Sequence, residues 1–167
     1  MTRSGPVVIG YDGTAASRLT LDEAAALLAP DRAIIVVVWE AGRAYDLLAP
    51  PSAILEMPPT TLDVRTAQEL DDTAYREAEQ LAQQGAALAK EKGLAAEGLT
   101  VADEVTVAET LVRVASDLDA AAIVVGAHNK GRLSRLLLGS TSAEVVRKAP
   151  CPVVVVREGA APDESEH

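Results

Sequence analysis

The chain contains no phenylalanine, and its aromatic share is only 2%. A core without large rings has to be assembled from Ala, Val, Leu and Ile. A single cysteine leaves no partner for an internal disulfide, and two histidines are too few for a histidine-rich metal centre. Basic residues are scarce: 15 Lys and Arg against 25 Asp and Glu give a net charge of −10. That balance repels a phosphate backbone and argues against DNA or RNA as a partner. The longest apolar runs, such as Ala33 to Trp39, fall far short of the roughly 20 residues that span a membrane as a helix. The opening Met-Thr-Arg-Ser-Gly-Pro lacks the apolar stretch of a secretory leader. The expected setting is reducing, cytoplasmic and away from membranes. With 167 residues, 49% of them apolar, the expected organisation is one domain over 1–158 that needs no disulfide or metal staple. A small, acidic, disordered tail is expected at 159–167.

What is present alternates between two periodicities. Short, continuous, β-branched runs predict strands at Pro6–Gly10, Ala33–Trp39, Ala121–Val125 and Pro152–Val156. A strand at about Ala95–Val101 is interrupted by Glu97 and Gly98. Between them lie stretches with apolar residues three or four apart. Leu21, Ala24, Ala25 and Leu28 predict a helix stopped by Pro30, and Leu70, Ala74, Ala78, Leu81, Gly85 and Leu88 predict one from about Val64 to Lys92. Thr106 and Glu109 have the spacing of a capping box ahead of the stripe Ala108, Leu111, Val112, Ala115 and Leu118. A short helix is expected from about Ser140 to Lys148. The proline-punctuated segment 41–62 is a long connection, of the length that usually forms a lid or mobile segment. The order is β-α-β-α-β-α-β-α-β. Continuous apolar strands in that order predict a Rossmann-like five-stranded parallel sheet with helices on both faces.

In such sheets ligands bind beyond the carboxyl ends of the strands, where the strand order reverses. The positions of interest are therefore Asp12, Val38 to Glu40, and Gly126 onward. Gly126 closes a strand without a Cβ, so a ligand can approach the backbone. Gly139, Ser140 and Thr141 open a helix, whose unpaired N–H groups and positive dipole end suit a phosphate. From Gly126 to Lys148 the bases Lys130, Arg132, Arg135, Arg147 and Lys148 face one acid, Glu144, giving +4 against −14 for the rest. A positive island in an acidic chain attracts a small anion while the whole repels polyanions. The alternative is a solvated basic loop next to an ordinary helix cap.

Four blocks then carry a resemblance over nearly the whole chain. They are Val-Val-Ile-Gly-Tyr-Asp-Gly-Thr-Ala-Ala-Ser at 7–17, Ala-Ala-Ile-Val-Val-Gly-Ala-His at 121–128, Leu-Leu-Leu-Gly-Ser-Thr-Ser at 136–142, and Ala-Pro-Cys-Pro-Val-Val-Val-Val at 149–156. Together, in this order, they resemble the universal stress proteins. The resemblance implies a stress-response or regulatory protein on the adenine-nucleotide alpha-hydrolase-like fold, usually dimeric. One branch binds ATP through Gly, two residues, Gly, nine residues, Gly, then Ser or Thr. Gly126 and Gly139-Ser140 match that pattern, and Asn129 replaces its second glycine.

Carried over by position, Asp12 implies contacts around the ribose or a bound Mg²⁺. Val38 implies the adenine pocket, Val125 and Gly126 the flanks of the ribose, and His128, Ser140 and Thr141 the phosphates. Lys130 and Arg132 imply field only. ATP is the expected ligand, with AMP or a cyclic nucleotide as related choices. The alternative is the branch that acts through protein contacts alone, with Asn129 marking a lost pocket. A homodimer through the edge strand Val153, Val154, Val155 and Val156 is implied as well. No catalytic residue is assigned and at most a weak ATPase is expected, because Walker, Gly-x-Gly-x-x-Gly, Gly-x-Ser-x-Gly and His-Glu-x-x-His patterns are missing. Cys151 reads as a small buried packing residue, Asp22-Glu23 and Asp71-Asp72 as solvent-facing, and Trp39 as a cover for either the pocket or the long connection.

Overall fold

The computed structural model describes residues 4–43, 61–103, 105–127 and 139–157. The acidic tail, most of the long connection, His128, Asn129, Lys130, Arg132 and Arg135 lie outside the described residues. Five strands form one sheet: β1 (Val7–Gly10), β2 (Ala33–Trp39), β3 (Ala96–Ala102), β4 (Ala122–Gly126) and β5 (Val153–Val156). Their spatial order is β3-β2-β1-β4-β5, and every neighbouring pair is parallel. Among the described residues, the α-helices between them are α1 (Ala15–Glu23), α2 (Thr61–Glu91), α3 (Val107–Asp117) and α4 (Ser140–Lys148). The alternating β-α pattern is thus realised as a Rossmann-like α/β fold.

Successive strand residues point to opposite faces, so each central strand feeds two cores. Val7, Ile9, Ile35, Val37 and Val124 pack with Leu21 of α1 and with Ala78, Ala82, Ala86 and Ala89 of α2. Val8, Ile34, Val36, Ile123 and Val125 pack with Leu111, Val114 and Ala115 of α3 and Val145 of α4. Burial on both sides is why these runs are apolar without alternation.

The scarcity of rings is answered by close approach. Helix α2 presents alanines and Gly85 to the sheet. A Cβ on Gly85 would lie 2.8 Å from the Tyr11 ring and 2.9 Å from Ile35 Cγ2. Gly98 does the same from the sheet side, where a Cβ would stand 2.6 Å from the Ala82 carbonyl oxygen. The glycine that interrupts the β3 pattern is therefore what lets α2 pack on that strand. Glu97, its neighbour, is exposed and pairs with Arg32 at 3.3 Å.

Several expectations are corrected. The first helix is not uniform: after Glu23 it widens into a π-helical turn, Ala24–Leu28, and ends at Ala29 with φ 37°. The Ala29 N–H bonds back to the Ala24 carbonyl at 3.1 Å, turning the chain toward Pro30, which cannot continue a helix. Leu70, placed on the buried stripe of α2, is half exposed; Ala67, one turn earlier, is buried. Asp22 is exposed, as expected, and pairs there with Lys92. Asp71 is partly buried, and its Oδ2 accepts the Gly42 N–H at 2.9 Å, fastening the exit of β2 to α2. Trp39 meets Tyr75 of α2 edge to face, with centroids 5.6 Å apart. Cys151 is half-buried against the α3/α4 core, not enclosed by it. Among the described residues, no helix is long and apolar enough to cross a membrane.

Gly85→Val is expected to lower stability by about 2 kcal/mol, because the added carbons overpack the α2–sheet contact. Urea unfolding measures it as a lower midpoint with an unchanged slope.

Candidate functional site

Strands β1 and β4 lie side by side, yet the helices that follow them, α1 after β1 and α4 after β4, pack on opposite faces of the sheet. The divergence opens a cleft of about 260 Å³ at the carboxyl ends of the strands. Its lining joins the ends of β1, β2 and β4 to the first turns of α1, α3 and α4.

The β1–α1 turn builds the polar side. Asp12 is exposed, and its Oδ1 accepts the Thr14 N–H at 3.0 Å and the Thr14 hydroxyl at 2.6 Å. Gly13 takes φ 78°, a left-handed conformation that favours glycine, and a Cβ there would also press the tip of Leu81 at 2.9 Å. Thr14 caps α1: its Oγ1 accepts the Ser17 N–H at 3.2 Å, and the Ser17 hydroxyl donates to the Thr14 carbonyl at 3.0 Å. Thr14, Ala16 and Ser17 line the cleft with Asp12. The amino end of α1 therefore faces it, as does that of α4 through Thr141.

Gly126 acts differently from the expectation of ligand approach alone. Its φ is not in the left-handed region, and a Cβ would stand 3.4 Å from the carbonyl carbon and oxygen of Ala16. Alanine just fits. A branched side chain would fill the space between β4 and the first turn of α1, which is part of the cleft. Asp12, Val38, Val125, Gly126 and Thr141 all border this one space. Gly139 and Ser140 open α4 next to Thr141 without lining it; Gly139 is the N-cap, and its carbonyl accepts the Ala143 N–H at 2.9 Å.

The apolar wall comes from Val36 and Val38 of β2 and from Val107 and Leu111 of α3. Sequence reading passed over this α3 wall and the Thr14–Ser17 turn. The signal for the turn was present as Asp-Gly-Thr with a hydroxyl three residues on. The wall had none, because Val107 and Leu111 fit a plain amphipathic helix. Trp39 does not line the cleft.

Helices α3 and α4 are clasped next to the cleft. Lys148 contacts a carboxylate oxygen of Glu109 on α3 and lies 2.8 Å from Glu144 Oε1 on its own helix. The Thr106 hydroxyl caps α3 by accepting the Glu109 N–H at 3.1 Å and lies 3.4 Å from Glu144 Oε2. The hydrogen bond from Lys148 holds the Glu144 carboxyl below its ordinary value of 4.5, against partial burial, which raises it. The bonds to Glu109 and then Glu144 hold the Lys148 ammonium above its ordinary 10.5. Among the described residues, no group of three or more His, Cys, Asp or Glu could hold a metal ion.

The Universal stress protein family is the family whose model matches this chain, over residues 4–157. The chain belongs to that family. A curated universal stress protein of Mycobacterium tuberculosis is 36% identical over 83 residues, which is 48% of this chain and 28% of that protein. The chain thus matches little more than a quarter of its mycobacterial relative's length. The solved structure of a Methanocaldococcus jannaschii universal stress protein superposes with a TM-score of 0.70 at 20% identity, covering 95% of this chain and 99% of that one. A universal stress protein solved in complex with cAMP superposes with a TM-score of 0.61 at 25% identity, covering 91% and 96%.

The clasp gives a pH signature. The stabilisation from Glu144 is complete above 4.5 and is lost as pH falls through its lowered folded value. That from Lys148 is complete below 10.5 and is lost as pH rises through its raised folded value. The melting temperature of this universal stress protein should therefore exceed that of Glu144→Gln by a constant margin at neutral pH. The margin should close at both extremes and shrink with added salt.

Proposed function

We propose that the cleft binds an adenine nucleotide and that the protein is a nucleotide-dependent regulatory module of the cytoplasm. One observation carries this reading. An apolar slot between Val36, Val38, Val107 and Leu111 opens directly onto Asp12 and the amino ends of α1 and α4. A flat base suits the slot, and an anion suits two converging helix ends. Asp12 and Gly126 would flank the ribose, and Thr141 with the N–H groups that open α4 would meet the phosphates. The related protein solved with cAMP supports an adenine nucleotide as the class. ATP, with Mg²⁺ accompanying its phosphates, is our first choice, ahead of AMP and cyclic forms. No chemical step is assigned to the cleft.

A competing reading is a universal stress protein that acts through protein contacts alone. It has one observation in its favour: Asn129 stands where the ATP-binding pattern has glycine.

Calorimetric titration with ATP and Mg²⁺, AMP and cAMP decides between them. The wild type should bind at least one, and Gly126→Val should weaken binding more than about tenfold, or ~1.4 kcal/mol. Gly126→Ala, which fits beside Ala16, should keep the fold and lose less. Absence of heat with all three nucleotides at high micromolar concentration would favour the protein-contact reading.

The regulatory unit we propose is a homodimer. Among the described residues, strand β5 pairs only with β4 and has no strand on its other edge, and Val153, Val154 and Val155 are only half-buried in the single chain. An open valine edge is a ready template for a second copy. Sedimentation should give a dimer at micromolar concentration, and Val155→Pro, at a position whose N–H points away from β4, should shift it to monomer; a stable wild-type monomer would overturn this.

A further inference from the structure

The cleft has one wall on α3 and one polar end on α4, and no strand hydrogen bonds join those two helices. Their relative position depends on side chains: Val145 of α4 shares a core with Leu111, Val114 and Ala115 of α3, and ion pairs join the two helices at the surface. Val107 follows the Thr106 cap of α3, and Thr141, Glu144 and Lys148 lie three and seven residues apart along one stripe of α4. The stripe that reaches the cleft at Thr141 thus reaches Glu109 at Lys148. Two carboxylates, Glu109 and Glu144, converge on the single Lys148 nitrogen. The three side chains are 36%, 22% and 39% exposed, so water screens the group only in part. Without the ammonium, two like charges would face each other across the helix–helix seam.

From this geometry we infer that Lys148 is a positioning residue for the cleft. Its clasp sets the separation of α3 and α4, and with it the fit of a base against Val107 and Leu111 and of an anion at Thr141. The inference rests on the nucleotide reading for its ligand, but not for the clasp itself. Lys148 touches no bound molecule in this scheme; it acts through the two helices.

Adenosine is the informative probe, because it has no phosphate whose attraction Lys148 could supply from a distance. Lys148→Met should weaken adenosine and AMP alike, by about three- to tenfold. Lys148→Arg should restore most of the affinity. The triple variant Lys148→Met, Glu109→Gln, Glu144→Gln should recover part of it by removing the repulsion. Hydrogen exchange without ligand should show the first turns of α3 and α4 opening faster in Lys148→Met, with the strands unchanged. Equal affinity and equal exchange in wild type and Lys148→Met would overturn the inference. Weakening of AMP with adenosine unaffected would also overturn it, by assigning Lys148 a long-range charge effect. If the wild type binds neither probe, the nucleotide reading falls, and the exchange pattern still decides whether the clasp positions the helices.

Discussion

The reversal of strand order between β1 and β4 is the constraint from which the rest follows. Parallel strands need right-handed crossovers, so the chain covers one face while it builds β1, β2 and β3. It must then cross to the other side of β1 to add β4 and β5. Helices α1 and α2 fall on one face, and α3 and α4 on the other. Where the two directions part, the described residues leave a cleft at the strand ends. A cleft is the geometric remainder of that topology, and the helix amino ends around it come from the same parallel arrangement.

Small residues make this arrangement compact. With no phenylalanine available, contact between layers comes from bringing backbones together rather than from filling space with rings. Gly85 and Gly98 permit the approach of α2 to the sheet, and Gly126 permits that of α1 to β4. The same economy of size shapes the cleft, since the position that lets α1 approach β4 is also one of its walls. Among the described residues the aromatic side chains serve as fasteners: Tyr11 packs against Gly85, and Trp39 holds the end of β2 to Tyr75.

The site divides its work between backbone and side chains. In the proposed reading, attraction for an anion would come from helix ends fixed by Thr14 and Gly139, features of the main chain that do not titrate. Selection by shape would come from four aliphatic side chains, two on the sheet and two on α3. The sheet pair belongs to strands buried on both faces. The α3 pair rides on a helix that shares an apolar core with α4 through Val145 and is tied to it at the surface by ion pairs and a threonine.

The sequence by itself determined the elements, because continuous apolar runs and three-to-four spacing report directly on burial and helical periodicity. Strand β2 and helix α4 fall where those patterns put them, and Thr106 caps α3 as its spacing to Glu109 implied. It also marked Asp12, Val38, Val125, Gly126 and Thr141, since motif residues at strand and helix ends are visible along the chain. Only the tertiary structure decided that Val107 and Leu111 complete the cleft, that Gly126 faces Ala16, that Asp71 binds Gly42, and that Lys148 joins two carboxylates. Apart from Glu144 and Lys148, four residues apart on one helix, those are contacts between residues 29 to 110 positions apart or on separate elements, and no local pattern encodes them. They exist because the sheet order brings distant segments together, and strand order is a property of the packed chain, not of any single stretch of it.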